Sequence, residues 1–171
     1  QNGITIFSNG DKYDGESQLL IQDGKGTYYW KNGDIYSGDW KNGLKHGYGE
    51  YTYSNGHGYK GEYRDDRYHG FGVMTSEYGD YYEGDFIDGS FHGNGYYKYP
   101  DGAEYRGELK SSRPSGQGIL SLPNGIIYEG IWSFGLPTET GTKTLSNGTQ
   151  YAGSWRENFL PELEPYLYYF R

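Results

Sequence analysis

Seven tyrosines, Tyr13, Tyr36, Tyr59, Tyr82, Tyr105, Tyr128 and Tyr151, stand 23 residues apart with no insertion or deletion between them. A period of this size marks a repeat array, in which each unit is too small to bury its own apolar face and draws stability from its neighbours. Glycine follows two residues after each tyrosine, from Gly15 to Gly153, and a large apolar residue two further on in all but the first: Trp40, Tyr63, Phe86, Leu109, Trp132 and Trp155. Thirteen residues after the tyrosine comes another glycine, from Gly26 to Gly141, and twenty after it a turn pair ending in glycine, from Asn32-Gly33 to Asn147-Gly148. Six complete units run from 13 to 150.

Side chains alternate along a strand, so the tyrosine, its glycine and the next aromatic share one face, and each unit reads as two short strands. A glycine between aromatics leaves a slot for a ring from the adjacent strand or repeat. The Asn-Gly and Asp-Gly pairs predict type I′ hairpin turns between units, and Lys41-Asn42-Gly43-Leu44-Lys45-His46 predicts a longer loop within one. The fold class is therefore all-β, an elongated single-layer antiparallel meander of 23-residue hairpins. Residues 1–12 match the second half of a unit, so the chain starts in mid-repeat. Residues 13–155 hold the array, and 156–171 form a C-terminal cap or a self-association segment through Phe159, Leu163, Tyr166, Tyr169 and Phe170.

Composition agrees once the repeat is known. Of 171 residues 30 are glycine and 22 tyrosine, which excludes helical bundles, because glycine costs about 1 kcal/mol per helical position. Disordered chains are poor in aromatics, and this one carries 19%, so the rings must be the core. With no cysteine there is neither a disulfide framework nor a thiolate metal site, and a net charge of -8 argues against a nucleic-acid partner. No apolar run reaches the roughly 20 residues of a membrane-spanning helix.

The unit Tyr36-Ser37-Gly38-Asp39-Trp40-Lys41-Asn42-Gly43-Leu44-Lys45-His46-Gly47-Tyr48-Gly49 resembles the membrane occupation and recognition nexus (MORN) repeat, Y-x-G-x-W, then N-G, then H-G-x-G. The match extends from about Gly3 to Trp155, keeps its histidine at His69 and His92, and drifts to Ser115-Gly116 and Thr138-Glu139 in later units. The resemblance implies a curved groove of hairpins used as a scaffold, with family members in cytoskeletal, ciliary and junctional membrane assemblies, and with phospholipid binding proposed for the repeats.

Catalytic and ligand motifs weigh little. Gly56-His57-Gly58-Tyr59-Lys60-Gly61 is a literal G-x-G-x-x-G, but it falls on a turn and a strand rather than on the helix start a dinucleotide needs. His46, His69 and His92 recur at equivalent positions about 10 Å apart, too far to converge on one metal. No cofactor, metal or catalytic residue is expected. Glu16, Asp39, Glu62, Asp85 and Glu108 recur three residues after the tyrosine, facing away from the core as a solvated row or as a steering field for a basic partner.

Two faces compete for a protein partner, an extended peptide or an amphipathic helix. One is the aromatic face at Tyr36, Trp40, Tyr63, Phe86 and Tyr105. The other is an outward strip of Tyr48, Phe71, Val73, Tyr96 and Ile119 beside Asp39, Glu62 and Asp85. The leading expectation is a non-catalytic scaffold in the cytoplasm, at the cytoskeleton or cell cortex. The alternatives are a phospholipid tether, with phosphoinositide head groups on Arg106, Lys110 and Arg113, and a regulatory domain of a larger enzyme. A homodimer through the C-terminal segment is a further expectation.

Overall fold

A computed structural model describes residues 2–155 and 160–167. Fourteen strands among them follow one another in chain order as neighbours in one open antiparallel meander. They are β1 (Asn2–Ile6), β2 (Lys12–Gln18), β3 (Ile21–Tyr29), β4 (Ile35–Lys41), β5 (Leu44–Thr52), β6 (Gly58–Arg64) and β7 (Arg67–Thr75). The sequence continues with β8 (Tyr81–Ile87), β9 (Ser90–Lys98), β10 (Glu104–Lys110), β11 (Arg113–Ser121), β12 (Ile127–Ser133), β13 (Leu136–Thr144) and β14 (Gln150–Ser154). A helical turn, Leu160–Leu163, and a 3-10 turn, Glu164–Tyr166, close the described chain. The chain divides into two compact units, Gln1–Glu77 with Phe86–Gly89, and Tyr78–Asp85 with Ser90–Arg171.

In both units the repeat tyrosine lies across its own glycines. The Tyr59 hydroxyl sits where a Cβ on Gly72 would be only 2.5 Å away, and it donates to the Glu62 carbonyl at 2.7 Å. Tyr13, Tyr36, Tyr82 and Tyr105 make the same bond to the carbonyl three residues on. Edge-to-face ring contacts then link successive hairpins of the first unit. Tyr36 meets Trp40 and Tyr63 at 5.0 and 5.1 Å, and Tyr59 meets Tyr63 and Phe86 at 5.1 and 5.2 Å, all near perpendicular as ring quadrupoles prefer.

The turn types are the reverse of the sequence expectation. The connections within a unit are the tight two-residue turns, with positive φ at both positions: Leu19-Leu20, Asn42-Gly43, Asp65-Asp66, Asp88-Gly89, Ser111-Ser112 and Phe134-Gly135. The Asn-Gly pairs between units instead sit in three-residue loops with one positive-φ glycine. In one of them Gly33 N–H donates to the Trp30 carbonyl, and Trp30 N–H to the Asp34 carbonyl. The expected long loop of Lys41 to His46 is thus mostly strand. The strands continue because the second turn residue bonds the preceding hairpin, as Asp66 N–H does to the Lys45 carbonyl.

A side-chain lock joins consecutive repeats. Asp11 accepts from the Tyr28 hydroxyl and the Lys31 N–H, and Asp34 accepts from the Tyr51 hydroxyl and the Ser54 N–H. Asp80 accepts from the Tyr97 hydroxyl at 2.5 Å. Main-chain N–H bonds from Lys31 and Ser54 hold the Asp11 and Asp34 carboxyls below the usual carboxylate range.

Candidate functional site

The acidic row is built into the sheet. The β2–β3, β4–β5, β6–β7 and β10–β11 hairpins break register where the acidic residue three after the tyrosine stands alone opposite three residues of the next strand, as between Gly38 and Trp40. The carboxylate folds over that irregularity and accepts a main-chain N–H. Glu16 takes it from Lys25 at 3.1 Å, Asp39 from Tyr48 at 3.0 Å and Glu108 from Gln117 at 3.0 Å. A Cβ on Gly47, Gly70 or Gly93 would strike Asp39, Glu62 or Asp85, at 2.8, 2.5 and 2.8 Å. Their first duty is therefore to satisfy a bulge rather than to stand free for a partner.

Tyr36, Trp40, Tyr63, Phe86 and Tyr105 do share the aromatic face, but they are at most 7% exposed. In the first unit Tyr36, Trp40, Tyr63 and Phe86 spend ring edges on perpendicular contacts within that unit, while Tyr63 also lines the cavity described below; in the second unit Tyr105 packs edge to face on Trp132. The outward strip does face solvent, with Tyr48, Phe71 and Ile119 exposed and Val73 and Tyr96 half-buried. Arg106 stacks on Tyr96 at 4.0 Å and meets Glu104 at 3.5 Å, so it stands apart from Lys110 and Arg113, which pair across the β10–β11 turn. Among the described residues no three His, Asp or Glu side chains form a metal-binding group, and no helix is long and apolar enough to cross a membrane.

In the C-terminal segment Leu163 and Leu167 are buried on this chain, and Tyr166 donates to Asp101 at 2.5 Å. The segment caps the second unit through Glu162, which accepts from Tyr128 and from Lys143. Hydrogen bonds from Lys143 and then Tyr128 hold the Glu162 carboxyl below its ordinary range. Phe159, Tyr169 and Phe170 lie outside the described residues. Trp155, fully buried, takes the glycine slot of Gly130 and Gly141 that Tyr128 would otherwise fill.

One feature was missed by the sequence reading. The first unit holds a cavity of about 330 Å³ lined by Tyr51, Tyr53, Tyr63 and Tyr68, with Lys45, Asp66 and Arg67 at its edge. The Tyr53 and Tyr68 hydroxyls meet at 2.5 Å, and the Tyr63 hydroxyl is buried without a hydrogen-bond partner. Burial pushes the Tyr63 and Tyr68 hydroxyls far above the usual tyrosine range, so both stay protonated. Lys45 lies 5.7 Å from the Trp30 and Tyr51 ring centres and 3.1 Å from Asp66. The available signal was Tyr68, which has no fixed place in the repeat pattern, standing in the hairpin next to Tyr53.

Comparison with known proteins adds family and fold. The family model described as MORN repeat matches residues 21–35, 36–58, 59–81, 82–104, 105–127 and 128–150. No curated protein sequence matches the chain. Among the solved structures that match its fold are two from one protein. One is the TCP domain of SAS-4 (dCPAP) of Drosophila melanogaster in complex with a proline-rich motif of Ana2 (dSTIL), with 12% identity, 88% of this chain and 82% of that one covered, and a TM-score of 0.54. The other is the TCP10c domain of Drosophila melanogaster Sas-4, with 10% identity, coverage of 88% and 90%, and a TM-score of 0.50. At these identities the likeness is one of fold.

Proposed function

The chain belongs to the MORN-repeat family, and from that premise we propose that it is a non-catalytic scaffold holding a protein partner, an extended or helical peptide, at the cytoskeleton or cell cortex. The observation that carries this reading is the tyrosine cavity of the first unit, a concave site whose polar groups are hydroxyls and paired charges, with no nucleophile and base set against each other. The fold-level likeness to a domain solved with a proline-rich motif supports a peptide partner. Panning a random peptide library against the purified chain tests it. The expected result is a set of binders whose capture falls at least about tenfold for Tyr53→Ala, as loss of a buried aromatic anchor implies. A library without binders, or binders indifferent to every cavity substitution in a folded chain, overturns the reading.

A second reading, contact with phosphoinositide membranes, draws on one local feature. Lys110 and Arg113 share a cavity of about 320 Å³ with Phe134, a ring exposed at 73% beside two cations. Sedimentation with phosphoinositide vesicles decides it: binding at physiological salt that is lost in a Lys110→Glu, Arg113→Glu variant supports it, and no binding removes it.

A further inference from the structure

We propose that the tyrosine cavity of the first unit binds a polyproline II segment of a partner, with main-chain carbonyls on tyrosine hydroxyls and proline rings on tyrosine faces; this rests on the protein-binding reading above. The tyrosines of the cavity offer unspent donors, and the one carboxylate of the lining, Asp66, already accepts from Lys45. Tyr63 has a buried, unpartnered hydroxyl, and in the Tyr53–Tyr68 pair the hydroxyl that accepts keeps its own proton. A ligand that matches must bring carbonyl oxygens that are not already bonded. A helix has bonded its own carbonyls internally, whereas a polyproline II segment has no internal hydrogen bonds and no proline N–H to leave unsatisfied.

The lining selects the same ligand on apolar grounds. It is made of rings and charged groups with no aliphatic side chain among the described residues, which suits flat pyrrolidine rings better than the leucines of an amphipathic helix. A cationic guest would find the ring faces of Trp30, Tyr36 and Tyr51 already taken by Lys45. Lys45 is paired with Asp66, and Arg67 stands 4.0 Å from Asp88, so the rim asks for no net charge.

The second unit supplies an internal precedent for the carbonyl contact. Tyr99 occupies there the repeat position that Tyr53 occupies in the first unit, and its hydroxyl reaches the main-chain carbonyl of Tyr166 at 3.5 Å, with the two rings edge to face at 5.0 Å. A covering segment in this chain thus presents a backbone oxygen and a flat ring to that tyrosine position.

Calorimetric titration of the full chain tests the assignment with three probes: a blocked oligoproline, a glycine-serine peptide of equal length, and a basic amphipathic helical peptide. The oligoproline is expected to bind and the glycine-serine peptide not to. Tyr53→Phe and Tyr68→Phe each weaken it about fivefold, the worth of one neutral hydrogen bond. Tyr63→Phe is the discriminating variant: it melts no lower than the parent, since it removes an unpartnered hydroxyl, yet binds oligoproline more weakly. Absent oligoproline binding, equal binding of glycine-serine peptide, or binding unmoved by all three variants overturns the assignment. If the helical peptide alone binds and needs the cavity, the scaffold reading survives and the polyproline assignment falls. If no probe binds, both fall.

Discussion

The first unit leaves its tyrosine cavity open, while the second covers the corresponding aromatic face with the chain's own C-terminal turns. Both units keep the repeat tyrosines and glycines while other hairpin positions vary. In the second unit Glu162 draws in Tyr128 and Lys143, and Trp155 fills the glycine slot beside Tyr128. Where a repeat tyrosine is released from its own unit it recruits a covering segment. In the first unit Tyr13, Tyr36 and Tyr59 all fill their own slots, and the face holds a cavity between rings.

The strongest way to break this contrast is Trp155→Ala. Removing a fully buried indole is expected to cost about 3–5 kcal/mol, read by denaturant unfolding, with the lower figure if Tyr128 swings into the vacated slot as its counterparts do. In the first unit the matching test is Gly72→Ala, whose Cβ meets the Tyr59 hydroxyl at 2.5 Å; overpacking of about 1–3 kcal/mol is expected in the same assay. Third comes Glu162→Gln, which strips the charge facing Lys143 and loosens the cap by about 1–2 kcal/mol, the smaller end for a half-exposed carboxylate, with faster hydrogen exchange around Tyr128.

Acid gives a related readout. The folded carboxyl of Glu162 sits below its ordinary value of 4.5, so its contribution is complete above that pH and is lost as pH falls through the lowered folded value. The parent cap should loosen in that acid window, and the Glu162→Gln cap should not respond there; protection of the Tyr128 amide against pH checks it. The smallest effect belongs to Lys25→Ala. Its pair with Asp39 joins a side chain 80% exposed to one 34% exposed, where solvent screens the attraction, and the thermal melting midpoint should barely move.

Much of the fold was legible because the 23-residue frame puts Tyr, Gly and aromatic on one face, and that face is where the core formed. The turn types were not, because Leu19-Leu20 and Ser111-Ser112 adopt positive φ without glycine, held by the ladder on either side rather than by local preference. The role of the acids was written in the chain but unread: units with a carboxylate three after the tyrosine have glycine eleven after it, and the unit with Ile131 has Glu139 there instead. The cavity was illegible for a different reason. It depends on how far Tyr53 and Tyr68 lean toward each other across neighbouring hairpins, and spacing alone does not specify that angle.

The aspartate-tyrosine locks carry one more consequence. Asp11, Asp34 and Asp80 face Tyr28, Tyr51 and Tyr97, whereas His57, Ala103 and Ile126 stand where Met74, Leu120 and Lys143 occupy the tyrosine's place. A permuted chain with the Leu120 hairpin behind Asp80 would bury a carboxylate against a methyl group, and one with the Tyr97 hairpin behind Ala103 would strand a hydroxyl. The hairpins share one shape, yet each joint admits a particular successor. Their sequence of assembly is spelled at the seams, and duplication or exchange of a single module is viable only where the two halves of a seam travel together.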